Sequence, residues 1–94
     1  KNLYINSRYI DDVSKETVKL KWKISSLEIK VELYRDLIHA LKQYYNRSKW
    51  RFRGKVARRA FENVIKILEQ KQKMCELAIK LNKERLEEVI KHGY

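Results

Sequence analysis

The 94-residue chain has no proline, two glycines and one cysteine. With glycine only at 54 and 93, almost nothing interrupts a helix, and Lys, Glu, Leu, Arg and Ile dominate the rest, so an all-α chain is expected. A single cysteine excludes an intramolecular disulfide and a four-thiolate metal site. Cys75 lies among Met74, Leu77 and Ala78 and reads as a core residue. No apolar run approaches the roughly 18 residues that a membrane-spanning helix needs, and no secretory signal is visible. The chain begins with Lys1, which is expected of a processed or partial form with residues upstream.

Chemistry-bearing motifs are equally sparse. The sequence holds no glycine-rich phosphate loop, no nucleophile elbow and no two histidines at metal-ligand spacing. Glu32, Asp36 and His39 share one helical face, but ferritin-like centres need Glu-x-x-His from two helices plus further glutamates. His92 lacks that spacing, so the three read as a solvated strip. Ser25 and Ser26 read as helix surface and Ser48 as a turn residue. No enzyme activity, metal or cofactor is expected.

Acidic residues are missing from one region, and this absence is the most informative. The net charge of +11 is unevenly placed. Residues 1–36 carry 8 basic and 6 acidic side chains, and residues 62–94 carry 7 and 6. Residues 37–61 carry 8 basic side chains and no acidic one. Two nearly balanced arms flank a concentrated cationic patch.

The residues present set out long helices. Asp11, Asp12 and Ser14 are N-cap candidates, with Glu16 in the first turn to complement the helix dipole. Leu20, Ile24, Leu27, Val31, Tyr34, Ile38, Leu41 and Tyr45 then recur at spacings of four and three, a heptad seam. The pattern predicts a first helix over about 13–46, roughly 50 Å long, preceded by an arm or short helix over 1–10. A second apolar set, Trp22, Ile29, Leu33, Leu37, Ala40 and Tyr44, lies roughly 130° around the same helix. Its cover must come from further helices or from another subunit, and Trp22, Ile29, Leu33 and Leu37 are the candidates for subunit packing.

A second helical segment is expected over about 55–91, either continuous or broken near "EQKQK" (69–73), with Gly93 as C-cap and Lys91 and His92 in the last turn. The expected architecture is a single-domain helix bundle spanning 1–94, of three to four helices.

The stretch "YYNRSKWRFRGKVARR" (44–59) carries seven Arg or Lys and four aromatic residues. If residues 48–55 are extended, Trp50 and Phe52 share one side and Arg51 and Arg53 the other. If it is helical, Arg47, Arg51, Lys55 and Arg58 or Arg59 line one face. Both arrangements leave a row of cations with no acid nearby in sequence. From 47 to 59 Arg outnumbers Lys five to two, the reverse of the rest of the chain. Arginine's fork binds phosphate oxygens bidentately, which suits a phosphate-binding surface. The candidate nucleic-acid contacts are Arg47, Lys49, Arg51, Arg53, Lys55, Arg58 and Arg59, with Trp50 and Phe52 expected chiefly as anchors. Other readings of the patch are a solvated turn, pairing with acids on a neighbouring subunit, and an anionic membrane surface. No short turn sets up a recognition helix, so binding dominated by phosphates and largely independent of sequence is expected.

The proline-free, Lys- and Ile-rich helical character, the doubly apolar helix 20–45 and the basic "NRSKWRFRGKVARR" (46–59) together resemble the coat proteins of filamentous archaeal viruses of the lipothrixvirus type. The resemblance is one of character across most of the chain. It implies a helix-bundle virion subunit that wraps double-stranded DNA and assembles with copies of itself or with a related coat protein. No residue role is carried over from it. A small intracellular DNA-binding regulator and a helical protein-interaction module share the same composition.

Overall fold

The computed structural model describes the backbone of residues 2–93 and the side chains of residues 12–92. Two long helices, α1 (Asn2–Arg47) and α2 (Lys55–Gly93), pack as a hairpin. A short 3-10 turn, Lys49–Phe52, joins them. The molecule is a rod, 74 Å long and 16 × 15 Å across. The expected bundle of three to four helices is therefore corrected to two. "EQKQK" does not break α2, because no residue there forbids helix and Glu69 and Lys73 stand at the favourable i, i+4 spacing. Helix α1 also starts earlier than expected. The segment before residue 13 continues the helix, so Asp12 and Ser14 lie within it and cap nothing. The cap reading of Asp11 falls outside the described side chains. With no glycine or proline before residue 54, nothing in the sequence forces the helix to stop short of residue 13.

The seam predicted on α1 faces inward along its length. Ile24, Val31 and Ile38 are 7% exposed, as are Val13, one heptad before Leu20, and Ile65 across the interface on α2. Leu20, Leu27, Tyr34, Leu41 and Tyr45 are half-buried between them. The matching seam of α2 is Phe61, Ile65, Leu68, Gln72, Cys75, Ile79, Asn82, Leu86 and Val89. Cys75 is half-buried there as a free thiol. Two members of this seam are polar. Asn82 satisfies itself locally, its Nδ2 donating to the Ala78 carbonyl at 2.6 Å.

The seam also fixes what each broad side of the hairpin carries. Let Thr17, Ile24, Val31 and Ile38 be position a of α1, and Ile65, Gln72, Ile79 and Leu86 position a of α2. In an antiparallel pair, e positions then meet e positions and g positions meet g. The three ion pairs among the described residues obey this rule. Glu28–Lys83 (3.9 Å) and Lys42–Glu69 (3.7 Å) join e positions on one side, and Glu16–Arg85 (3.1 Å) joins g positions on the other. All three pairs are exposed and contribute little stability, about 0–1 kcal/mol each.

The core is a single layer, and none of the described large side chains is fully buried. One buried group is uncompensated: the Thr17 hydroxyl oxygen has no hydrogen-bond partner. Thr17→Val keeps the side chain's shape and removes that group. It is expected to stabilise the fold by about 1 kcal/mol. Thermal unfolding should register this as a Tm rise of about 5 °C.

Candidate nucleic-acid interface

The turn end of the rod is built on aromatic rings. Helix α1 ends where the Ser48 N–H donates to the carbonyls of Tyr44 (3.0 Å) and Tyr45 (3.2 Å). The Arg51 N–H then donates to the Ser48 carbonyl at 2.9 Å, closing the 3-10 turn. Helix α2 opens with the Arg58 N–H donating to the Gly54 carbonyl at 3.1 Å. Gly54 does not have a left-handed φ, and a Cβ there would meet nothing within 4 Å. The turn is held by packing rather than by glycine.

That packing is a four-ring cluster. Phe52 lies 5.1 Å from Tyr45, 5.2 Å from Phe61 and 6.2 Å from Tyr44, centroid to centroid. Tyr45 and Phe61 stack at 4.9 Å with 19° between their planes, linking α1 directly to α2. Offset and edge arrangements of this kind add about 0.5–1.5 kcal/mol per pair beyond area burial.

Neither the extended nor the fully helical reading of 44–59 is met. A 3-10 turn advances about 120° per residue, so Trp50 and Phe52, two apart, point to different sides. Phe52 is the anchor that the sequence suggested. Trp50 is not: its ring is 62% exposed, and the Arg51 guanidinium sits over it, 4.9 Å from the centroid. Arg51 also donates to the Tyr44 hydroxyl at 2.8 Å. Its planar group is thus held between a phenol and an indole at the tip of the rod.

The seven candidate cations are gathered around this tip. Arg47 ends α1, Lys49 and Arg51 are in the turn, Arg53 follows it, and Lys55, Arg58 and Arg59 occupy the start of α2. All seven are exposed, and among the described residues none of them forms an ion pair. Their charges are unscreened by protein acids because residues 37–61 contain none. Three lie at the positive end of the α2 dipole, whose first turn also has no acidic residue. Cations there are unfavourable by a few tenths of a kcal/mol each, and a bound anion relieves that cost. Next to them Val56 is 85% exposed. The tip therefore presents exposed cations, helix N–H groups and one open indole, a set suited to phosphates and to the flat faces of bases or sugars.

The other candidate groups lie elsewhere. Trp22, Ile29, Leu33 and Leu37 are on the flank of α1, each between 46% and 75% exposed. The chain does not cover this second apolar set. Glu32, Asp36 and His39 are exposed on α1. Among the described residues no three His, Cys, Asp or Glu side chains gather as a metal site would require. No described helix is long and apolar enough to cross a membrane. Sequence reasoning missed the roles of Tyr44 as acceptor for Arg51 and of Phe61 as the stacking partner of Tyr45. The four-residue spacing of Ala57, Phe61 and Ile65 was the available signal for Phe61. No protein-family model matches the chain, nor does any curated protein or solved structure.

Proposed function

We propose that this chain is a structural DNA-binding protein, a coat or nucleocapsid subunit that packages double-stranded DNA through phosphate contacts largely independent of sequence. One observation carries the reading: seven exposed cations, five of them arginines, converge on one tip of the rod with no acidic partner. The patch is too one-sided for a merely solvated turn, since the rest of the surface interleaves both signs. Phosphates supply the missing countercharge, and arginine-rich clusters bind them bidentately.

Two further features support a packaging role over a sequence-reading one. The tip is a 3-10 turn between two long helices, whereas major-groove readers present the start of a recognition helix with base-specific side chains. Asn46 is the only Asn or Gln within residues 44–59. The large uncovered apolar set on α1 suits a subunit that works in an assembly. The resemblance to filamentous-virus coat proteins, which rests on sequence character alone, points the same way and would place the protein in a virion.

Electrophoretic shift titrations with unrelated duplexes of equal length test the reading. Binding at low salt with dissociation constants within a few-fold of one another is expected. Neutralising about five phosphates gives a log–log salt slope near −4.5. Absence of binding at low salt would sink the proposal, and strong discrimination between duplexes would instead favour a transcriptional regulator.

A further inference from the structure

We propose that two copies of this chain associate through one broad side of the hairpin, the g side, with their basic tips at opposite ends. The inference does not depend on the DNA reading. It starts from the inequality of the two sides. On the e side, α1 presents Glu28, Glu32, Arg35 and Lys42, and α2 answers with charges on every turn from Glu62 to Lys83. On the g side, α1 presents Lys23 and Lys30 and then, toward the turn, Leu33, Leu37, Ala40 and Tyr44, and α2 presents Val64, Ile67, Met74, Ala78 and Leu81. From Val64 to Leu81 on α2 and from Lys23 to Tyr44 on α1, the charges on that side are Lys71, Lys23 and Lys30, lysines whose stems can lie along an apolar surface while their amines reach water. The two α-helical flanks lie on the same side because g meets g, as the Glu16–Arg85 pair demonstrates.

The size of this side selects its occupant. Leu33 is 62% exposed, Leu37 46%, Val64 47%, Ile67 51%, Met74 67% and Leu81 55%. With Tyr44, they leave roughly 700 Å² of largely apolar surface open, close to the ~800 Å² that each partner of a standard stable interface buries. It also exceeds the patch of ~300–600 Å² usual on a monomer. A largely apolar strip interrupted only by lysines can pack against its own copy, as a two-fold interface requires. Pairing two hairpins across it produces a four-helix bundle with both charged e sides outward.

Charge selects the orientation. A two-fold axis along the rod would set two windows of eight basic residues side by side. An axis across the rod separates them. The centre of the apolar patch lies about 15 residues from the turn, or about 23 Å at helical rise. The two tips then stand roughly 45 Å apart, more than five screening lengths of ~8 Å at physiological salt. Both tips remain free.

Sedimentation velocity of the full chain at micromolar concentration, without nucleic acid, should report twice the 11.5 kDa chain mass. Leu33→Glu combined with Ile67→Glu should return it to a single chain mass, whereas His39→Glu combined with Lys73→Glu, on the e side, should not. A wild type that is helical but monomeric, or a dimer that survives the first pair of substitutions, overturns the proposal. So does a wild type that is monomeric in solution and orders only on anionic vesicles. If the first pair unfolds the chain, spin labels at Ser48→Cys in a Cys75→Ser background decide. A distance near 45 Å supports the arrangement, and one below about 25 Å overturns it. Because no DNA is present, failure here leaves the phosphate reading intact, and failure of duplex binding leaves this one intact.

Discussion

Alanine at Arg51, Arg53, Arg58 and Arg59 together is expected to lower affinity for all duplexes alike, by about 100- to 1,000-fold at low salt, with little change in fold. The magnitude follows from four charge-assisted contacts at a net value of about 1 kcal/mol each, near the low end for bonds to charged groups. Salt dependence gives the sharper readout. With about five phosphates neutralised, wild-type affinity falls about 500-fold between 50 and 200 mM salt. If four of those contacts are lost, the slope flattens to near −0.9 and the fall shrinks to about 4-fold. Stability should be nearly untouched, because all four side chains are exposed and none forms an ion pair among the described residues. Only the exposed bond from Arg51 to Tyr44 and the Arg51 contact with the Trp50 ring are lost. Fluorescence anisotropy on two unrelated duplexes across salt, with circular dichroism alongside, checks all of this. A variant with an unchanged salt slope would show that these arginines are not the phosphate contacts.

The location of this patch was legible because charge is a property of composition. Its geometry was not. Alternation predicted that Trp50 and Phe52 would share a side, and the 3-10 turn separates them, leaving one ring in the cluster and the other in solvent. Nothing local decides between the two rings. The choice is made by Tyr45 and Phe61, which come from different helices, stack on each other and both pack against Phe52.

The two helices differ in legibility for a related reason. On α1 every seam position from Leu20 to Tyr45 is apolar, so its period is plain. On α2 Gln72 and Asn82 occupy seam positions, while Ile67, Met74 and Leu81 sit one residue ahead of the seam residues Leu68, Cys75 and Asn82. Apolar neighbours in adjacent registers blur the period, and the polar Gln72 made 69–73 resemble a break. The same doubling puts apolar side chains on the outer flank of α2. The second apolar face of α1 suggested more helices or another subunit, and the two long helices of the described residues leave it uncovered. At the start of α1, Asp12 and Ser14 offered cap chemistry that the backbone does not use, since the residues before them also form helix.

Phe61→Ala is expected to produce the largest loss of stability of any single change at the turn. Phe61 is the ring through which α2 meets both Tyr45 of α1 and Phe52 of the turn. Truncating a core phenylalanine costs about 3–5 kcal/mol. Phe61 is only half-buried, which lowers the burial part, but two ring pairs at about 0.5–1.5 kcal/mol each are lost with it. A net loss of about 3 kcal/mol is expected, a large share of what a domain of this size has to spare, and Tm should fall by more than about 10 °C. Phe61→Leu should recover about half of the loss by restoring volume without the stacking. Trp50→Ala is the contrast, since an exposed ring outside the cluster should change stability by less than about 0.5 kcal/mol. The difference bears on function, because the cluster holds the turn that carries Lys49, Arg51 and Arg53. In Phe61→Ala, duplex binding should weaken even at temperatures where both helices persist, by loss of the tip's fixed geometry rather than of any charge. Its salt slope should then stay near the wild-type value while affinity drops, the opposite signature to the arginine variant. Calorimetry together with salt-dependent binding separates the two, and a Phe61→Ala protein as stable as wild type would mean that the ring cluster does not hold the turn.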